Sequence, residues 1–304
     1  MKTYRFIICY LLLIFPMYFS GQDDEKLAFS LRHSDSLRPT YIELGFGSGY
    51  YNLRDFATSP VIYHGINGNF YAGRHRQDHK RESIQGFIYS AGQASIRNSN
   101  GLRNSNEPSA ALLMSLDIIH TELYKLPWEP SERWNFKAGG MVNLSGNFRH
   151  NESLQNNALG LEAIGTLFAS FKINRDVSRK TTKDIDWKLV EFQLIPRKRQ
   201  LSWQMNIAVL NTTFRNGYAY MNNSSEMNDY DPFDNHEFNF FRGYRLSSSL
   251  EYMIYLKNQN AFTLKYVWDA YHTGDKTDKL ELGRHSFFLS FLYNLNEKIN
   301  TPEQ

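Results

Sequence analysis

The sequence is poor in cysteine: the only one among 304 residues is Cys9. Cys9 lies inside an apolar leader, so the chain beyond it has no thiol for a disulfide, a thiolate metal site or a nucleophile. Net charge is equally scarce. Without Lys2 and Arg5 the chain carries 32 basic and 31 acidic side chains. That balance leaves no clustered basic face of the kind nucleic acid requires, so no nucleic-acid partner is expected. Long hydrophobic runs are missing too, apart from one between Phe6 and Phe19. That run is shorter than the ~20 residues of a spanning helix and follows a cationic start. With Ser20 and Gly21 after it, it reads as a cleaved signal peptide over residues 1–21, the functional chain starting near Gln22.

Several signatures of chemistry are absent as well. There is no nucleotide loop, catalytic-serine elbow or paired-cysteine zinc site. His75 and His79 have the four-residue spacing of a helical metal pair, but they straddle a tight turn and no glutamate follows His75. Glu226, Asp229, Asp231, Asp234 and Glu237 form an acidic stretch without the glycine and spacing of a calcium loop, and read as a solvated loop. Gly45, Gly47 and Gly49 sit within a strand pattern, where they ease curvature rather than cradle phosphate. No cofactor and no metal is expected.

What the sequence has in quantity is aromatic residues, 22 Phe and 19 Tyr, set in strict two-residue alternation. Strands have that period and helices do not. From Trp134 to Arg149 the even positions are Trp, Phe, Ala, Gly, Val, Leu, Gly and Phe, while the odd ones include Asn135, Lys137, Asn143, Ser145 and Arg149. Leu159–Ile173, Phe262–Tyr271 and Phe287–Leu295 repeat the pattern, and further strands start near Tyr41, Ile62, Ile84, Leu112, Leu201 and Leu246. These segments run about 10 to 17 residues, longer than soluble strands and long enough to cross a bilayer when tilted. In hydrocarbon every backbone polar group needs a partner within the protein, so such strands span only as a closed barrel.

The expected fold is therefore an all-β, closed antiparallel transmembrane barrel over residues 40–296. It follows a periplasmic segment at 22–39 and precedes a tail at 297–304. Trp187–Ile195 and Phe214–Met221 are weakly patterned; counting both as strands predicts twelve, the preferred number, and omitting both predicts ten. Short connections at Arg76–Lys80 and Lys257–Asn260 contrast with polar ones at Arg97–Ser109, His150–Asn157, Asn223–His236 and Thr273–Gly283. By convention the short turns face the periplasm and the long loops the exterior. Tyr124, Trp128 and Trp134 mark an interfacial aromatic belt.

On these strands and loops the chain resembles bacterial outer-membrane barrel proteins of the Bacteroidetes type, in architecture rather than by motif. The resemblance implies an outer-membrane location, contact with its lipids, passage through the barrel-assembly machinery and room for an envelope protein partner. Gly283–Leu295 resembles the terminal strand that this machinery reads, although the polar tail Asn296–Gln304 follows it.

Two sets of residues are candidates for function. Glu43, Asp117, Glu122, Lys137, Arg149, Glu162, Lys172, Glu251, Lys265 and Asp269 are assigned to the lumen face, as a paired structural plug by preference and as the lining of a narrow channel otherwise. Barrel phospholipases carry a His, a Ser and an orienting Asn on the lipid-facing wall, and His150, Ser153 and Asn156 supply those types near the rim. The three-residue step from His150 to Ser153 fits poorly, because residues on one strand face are two apart. An enzyme is thus the lesser expectation, and a soluble β-sandwich is the alternative outside the membrane.

Overall fold

The computed structural model describes residues 38–96, 110–128, 130–179, 181–187, 190–194, 196–216, 236–273 and 279–296. The signal-peptide and tail expectations, and Glu226, Asp229, Asp231 and Asp234, lie outside them.

The wall is built from β1 (Thr40–Asp55), β2 (Ser59–Gln77), β3 (Arg81–Ile96), β4 (Ala110–Lys125), β5 (Trp134–His150), β6 (Leu159–Asp176), β9 (Arg199–Asn216), β11 (Tyr244–Tyr255), β12 (Ala261–Thr273) and β13 (Leu280–Asn294). Each pairs antiparallel with the next, β6 passing directly to β9, and β1 closes on β13 from Tyr41↔Asn294 to Asp55↔Leu280. The result is a closed barrel of ten strands. Closure leaves no edge with unpaired backbone groups.

The preferred count of twelve is corrected by two features. Strand β7 (Lys183–Trp187) and β8 (Val190–Leu194) pair only with each other, as a two-stranded hairpin off the barrel. Phe214 is no separate strand either: it belongs to β9, which is 18 residues long and carries a bulge. Across from β6, Leu210 pairs with Leu167 and Ala208 with Phe168, so Val209 is extra. Ser202, Gln204 and Asn206 are buried before the bulge, and Asn211, Thr213 and Arg215 after it. One inserted residue reverses the parity and makes one strand read as two fragments. A second irregularity splits the neighbouring wall position: β10 (His236–Phe240) pairs with Thr212–Asn216 and β11 continues from Tyr244, after Phe241 and Gly243 at positive φ.

The two faces of the wall follow the alternation. Outward lie Ile42, Leu44, Phe46, Ile66, Phe87, Leu116, Ile118, Val142, Leu144, Leu167, Ile207, Leu250, Leu264, Phe287 and Leu289, all exposed. A soluble sandwich would have buried this set against a second sheet; instead it forms a belt, the kind of surface hydrocarbon covers. Tyr124, Trp128 and Trp134 fall at the end where β1 starts and β13 finishes, Trp128 stacking on Phe136 with centroids 4.6 Å apart and Arg175 lying 4.9 Å over Trp134. Inward lie Tyr and polar side chains. Tyr71 finds room because Gly73 and Gly86 face it: a Cβ on either would stand 2.6 or 3.0 Å from its hydroxyl oxygen.

Candidate functional site: a charged lumen in three layers

Lumen side chains sort by height along the barrel. Nearest the end where β1 starts and β13 finishes, Tyr41, Met253, Ala261 and Leu292 form a buried apolar floor. Above it, Glu82 on β3 is fully buried and accepts from Lys172 Nζ at 2.5 Å and Lys137 Nζ at 3.4 Å, with His75 Nε2 3.4 Å away. Glu251 faces Lys265 at 3.8 Å, and Glu43 is buried in the same part of the lumen. Three lysines and three glutamates make up this layer.

The middle layer is built by two arginines and two aspartates. Arg245 grips Asp269 with Nε at 3.0 Å and Nη2 at 2.8 Å, and its Nη2 also lies 3.4 Å from Asp117. Arg284 Nη2 bridges Asp117 at 2.9 Å and Asp269 at 3.1 Å. The Ser145 hydroxyl donates to Asp117, while Arg245 Nη1 donates to Asn143 at 3.1 Å and to Ser145 at 2.9 Å. Forked donors held this way on planar carboxylates are the strongest pairing two side chains make.

Toward the long-loop end, Asp55 at the tip of β1 accepts from Arg149 Nη2 at 2.6 Å and Arg215 Nη2 at 2.7 Å. Glu162 stands 3.8 and 3.9 Å from the same two guanidiniums. The Arg149 guanidinium lies against Gly160, where a Cβ would come within 2.7 Å of Nη2. Tyr51, Leu53, Tyr63, Ala94, Ala111, Ile164, Tyr271 and Leu280 form an apolar cluster at this end.

Each layer balances its charges, two against two, two against two and three against three. Six of the seven buried carboxylates, all but Glu43, have a cation within 4.0 Å, the condition under which charge is tolerated out of water. Between the layers are two small chambers. One, of about 80 Å³, is lined by Glu43, Tyr71, Lys265 and the middle layer; the other, of about 50 Å³, lies between Arg284 and the Arg149–Glu162 pair. Each has room for a handful of waters.

Nine of the ten lumen residues expected from sequence stand inside: Glu43, Asp117, Lys137, Arg149, Glu162, Lys172, Glu251, Lys265 and Asp269. Glu122 is corrected. It lies five residues from Asp117, an odd step that turns it to the outer face, where Arg81 Nε donates to it at 2.9 Å. Sequence reasoning missed Asp55, His75, Glu82, Arg215, Arg245 and Arg284, although Arg284 is in phase with Ser286 and Ser290 and was legible by parity alone.

The rim set is not assembled. His150 ends β5, whereas the Ser153 hydroxyl, in the short 3-10 turn Glu152–Asn157, donates to Asn151 at 2.6 Å. The Asn156 side chain lies outside the described residues. Among the described residues no group of His, Cys, Asp or Glu has the arrangement of a metal site.

No protein-family model matches the sequence, and no curated protein matches it. Solved structures with a similar fold include the outer membrane protease OmpT from Escherichia coli, at 8% identity over 84% of this chain and 96% of that one, with a TM-score of 0.45. The translocator domain of autotransporter NalP from Neisseria meningitidis is similar at 7% identity over 92% and 98%, TM-score 0.34. The Pseudomonas putida toluene transporter TodX is similar at 9% identity over 85% and 89%, TM-score 0.28. The closed barrel rests on this chain's own strand pairing.

Proposed function

We propose that the chain is a bacterial outer-membrane barrel with a sealed lumen, which serves the envelope through its outer wall and loops rather than by conducting solutes. The observation that carries this is the stack of three charge-balanced layers between an apolar floor and an apolar cluster at the loop end. An ion entering the lumen would have to break paired, desolvated contacts, each costly to leave half-made. The outward apolar belt supports residence in a membrane, and the leader pattern supports export through a cleaved signal peptide. Assembly by the barrel machinery and a further envelope protein on the loops fit this reading, which requires no cofactor.

Planar-bilayer recording tests it. The purified barrel should give no sustained single-channel steps. Stable steps from the unmodified protein would return the lumen to the channel reading. Fractionation is the companion test of location: the protein should require detergent for extraction and migrate anomalously on gels until boiled.

A further inference from the structure

Charge is unevenly spread over the outer wall. At the end where β1 starts and β13 finishes, the outward strand positions carry Arg74 and Arg76 on β2, Arg81 on β3, Arg175 on β6 and Arg199 on β9. Parity places each outside, since His75, Glu82, Asn174 and Ser202 point into the lumen. Against these five cations, Glu122 is the one carboxylate at outward strand positions of this end among the described residues. In the turns and strand ends beyond, Lys80, Arg133 and Lys198 at least match Asp78, Glu132 and Asp176, so nothing there cancels the excess. At the long-loop end the outward strand positions hold Arg54 and Glu281, one charge of each sign.

The five arginines lie where the apolar belt gives way to polar surface. Arg74 is the register partner of exposed Ile42, Arg81 of exposed Tyr124 and Arg175 of Trp134. Three are held against aromatic side chains of this margin. Arg81 lies 5.4 Å over the Tyr124 ring, Arg175 lies 4.9 Å over Trp134, and Arg199 Nη1 donates to the Tyr252 hydroxyl at 3.4 Å. A guanidinium lying on a ring keeps its N–H edge for hydrogen bonding. That every outward cation here is arginine narrows the partner, because the guanidinium fork matches two oxygens of one phosphate where a lysine offers only a point charge.

We propose that this arginine collar binds net-anionic phospholipids, of the phosphatidylglycerol and cardiolipin type, in the leaflet at that end of the barrel. With acyl chains laid along the belt, the phosphodiester stands at the height of the arginines and accepts from their N–H groups. Zwitterionic phosphatidylethanolamine is the poorer ligand, because its ammonium needs a carboxylate and Glu122 already accepts from Arg81 Nε at 2.9 Å. Five cations less one carboxylate leave an excess of four positive charges, which a lipid without an ammonium neutralises and a zwitterion does not. Position favours lipid over an acidic protein: the arginines are seated on the aromatic rings that border the belt, where headgroups lie.

The proposal rests on the outer wall facing lipid, so the test begins with barrel that is detergent-extracted and heat-modifiable; failure there removes the membrane reading itself. Folded protein in detergent is then offered equal amounts of phosphatidylglycerol, cardiolipin and phosphatidylethanolamine, and the lipids it retains are counted by native mass spectrometry. Phosphatidylglycerol or cardiolipin should be retained over phosphatidylethanolamine by about fivefold or more, the effect of a single cation at an anionic surface. The separate masses tell which of the two anionic lipids is held. Arg74→Gln, Arg175→Gln and Arg199→Gln together should abolish the preference, and Arg54→Gln at the other end should leave it unchanged. Should the triple variant not fold, the competition on the unmodified protein still decides. Folded barrel that retains the three lipids equally, or a preference that survives the triple substitution, overturns the proposal.

Discussion

Arg245 and Asp269 are diagonal neighbours on the paired strands β11 and β12, joined through two nitrogens and two oxygens at 3.0 and 2.8 Å in a part of the lumen where both side chains are almost fully buried. They are not isolated, because Arg284 and Asp117 complete a square in which each carboxylate meets both guanidiniums. The square closes the barrel at mid-height. It also couples the consecutive strands β11, β12 and β13 to β4, which lies far from them in sequence.

Removing one corner leaves charge uncompensated. Arg245→Ala should lower unfolding stability by roughly 3–5 kcal/mol, and Arg245→Ala with Asp269→Ala should recover part of that loss. Urea unfolding in lipid vesicles, followed by tryptophan fluorescence, reads both. A double-variant loss equal to the sum of the losses of Arg245→Ala and Asp269→Ala taken singly would show that the pair is not coupled.

Glu82 provides an independent check on the lower layer. Glu82→Gln leaves Lys137 and Lys172 with a neutral partner in a desolvated pocket, and should destabilise the barrel. Glu82→Gln combined with Lys172→Met removes one charge of each sign and should be better tolerated than Glu82→Gln alone. The same unfolding assay decides, and a reversed order would contradict the charge-balance argument.

The bulge at Val209 predicts an asymmetry between deletions. Without Val209, Ala208 still points inward and Leu210 outward, so Asn211, Thr213 and Arg215 keep their faces. Deleting Ala169 from β6 turns one half of that strand inside out. Heat-modifiable migration should survive the first deletion and be lost in the second.

The apolar belt predicts a cost for charge on the outer wall. Phe46, 69% exposed in mid-strand, is the sharpest site. Phe46→Arg should cost about 2–4 kcal/mol in a bilayer, as cations do near the midplane of a barrel wall. Phe46→Leu should cost far less, and similar costs for the two would remove hydrocarbon from the picture.

Much of the barrel was legible because alternation is a local property. In Trp134–Arg149 each side chain's face follows from its neighbour's, and the structure places Lys137, Asn143, Ser145 and Arg149 inside as the parity implies. Where phase was lost, reading failed. Glu122 was grouped with Asp117 despite an odd separation, and β9 looked like a strand from Leu201 followed by a separate weak segment from Phe214, because one extra residue reverses its parity. The β7–β8 hairpin shows the other limit: pairing partners, not propensity, decide whether a strand joins the wall.

Amino-acid order alone determined the period, the two faces, the strand lengths and the lack of any thiol beyond Cys9 or of a basic face, because each depends only on residues adjacent in the chain. Tertiary structure alone decided the closure at ten strands and the sorting of lumen charges into layers. Those depend on register between strands, as when Arg284 meets Asp117 across 167 positions of sequence. Register is set by how the whole sheet closes on itself, and no single segment carries that information.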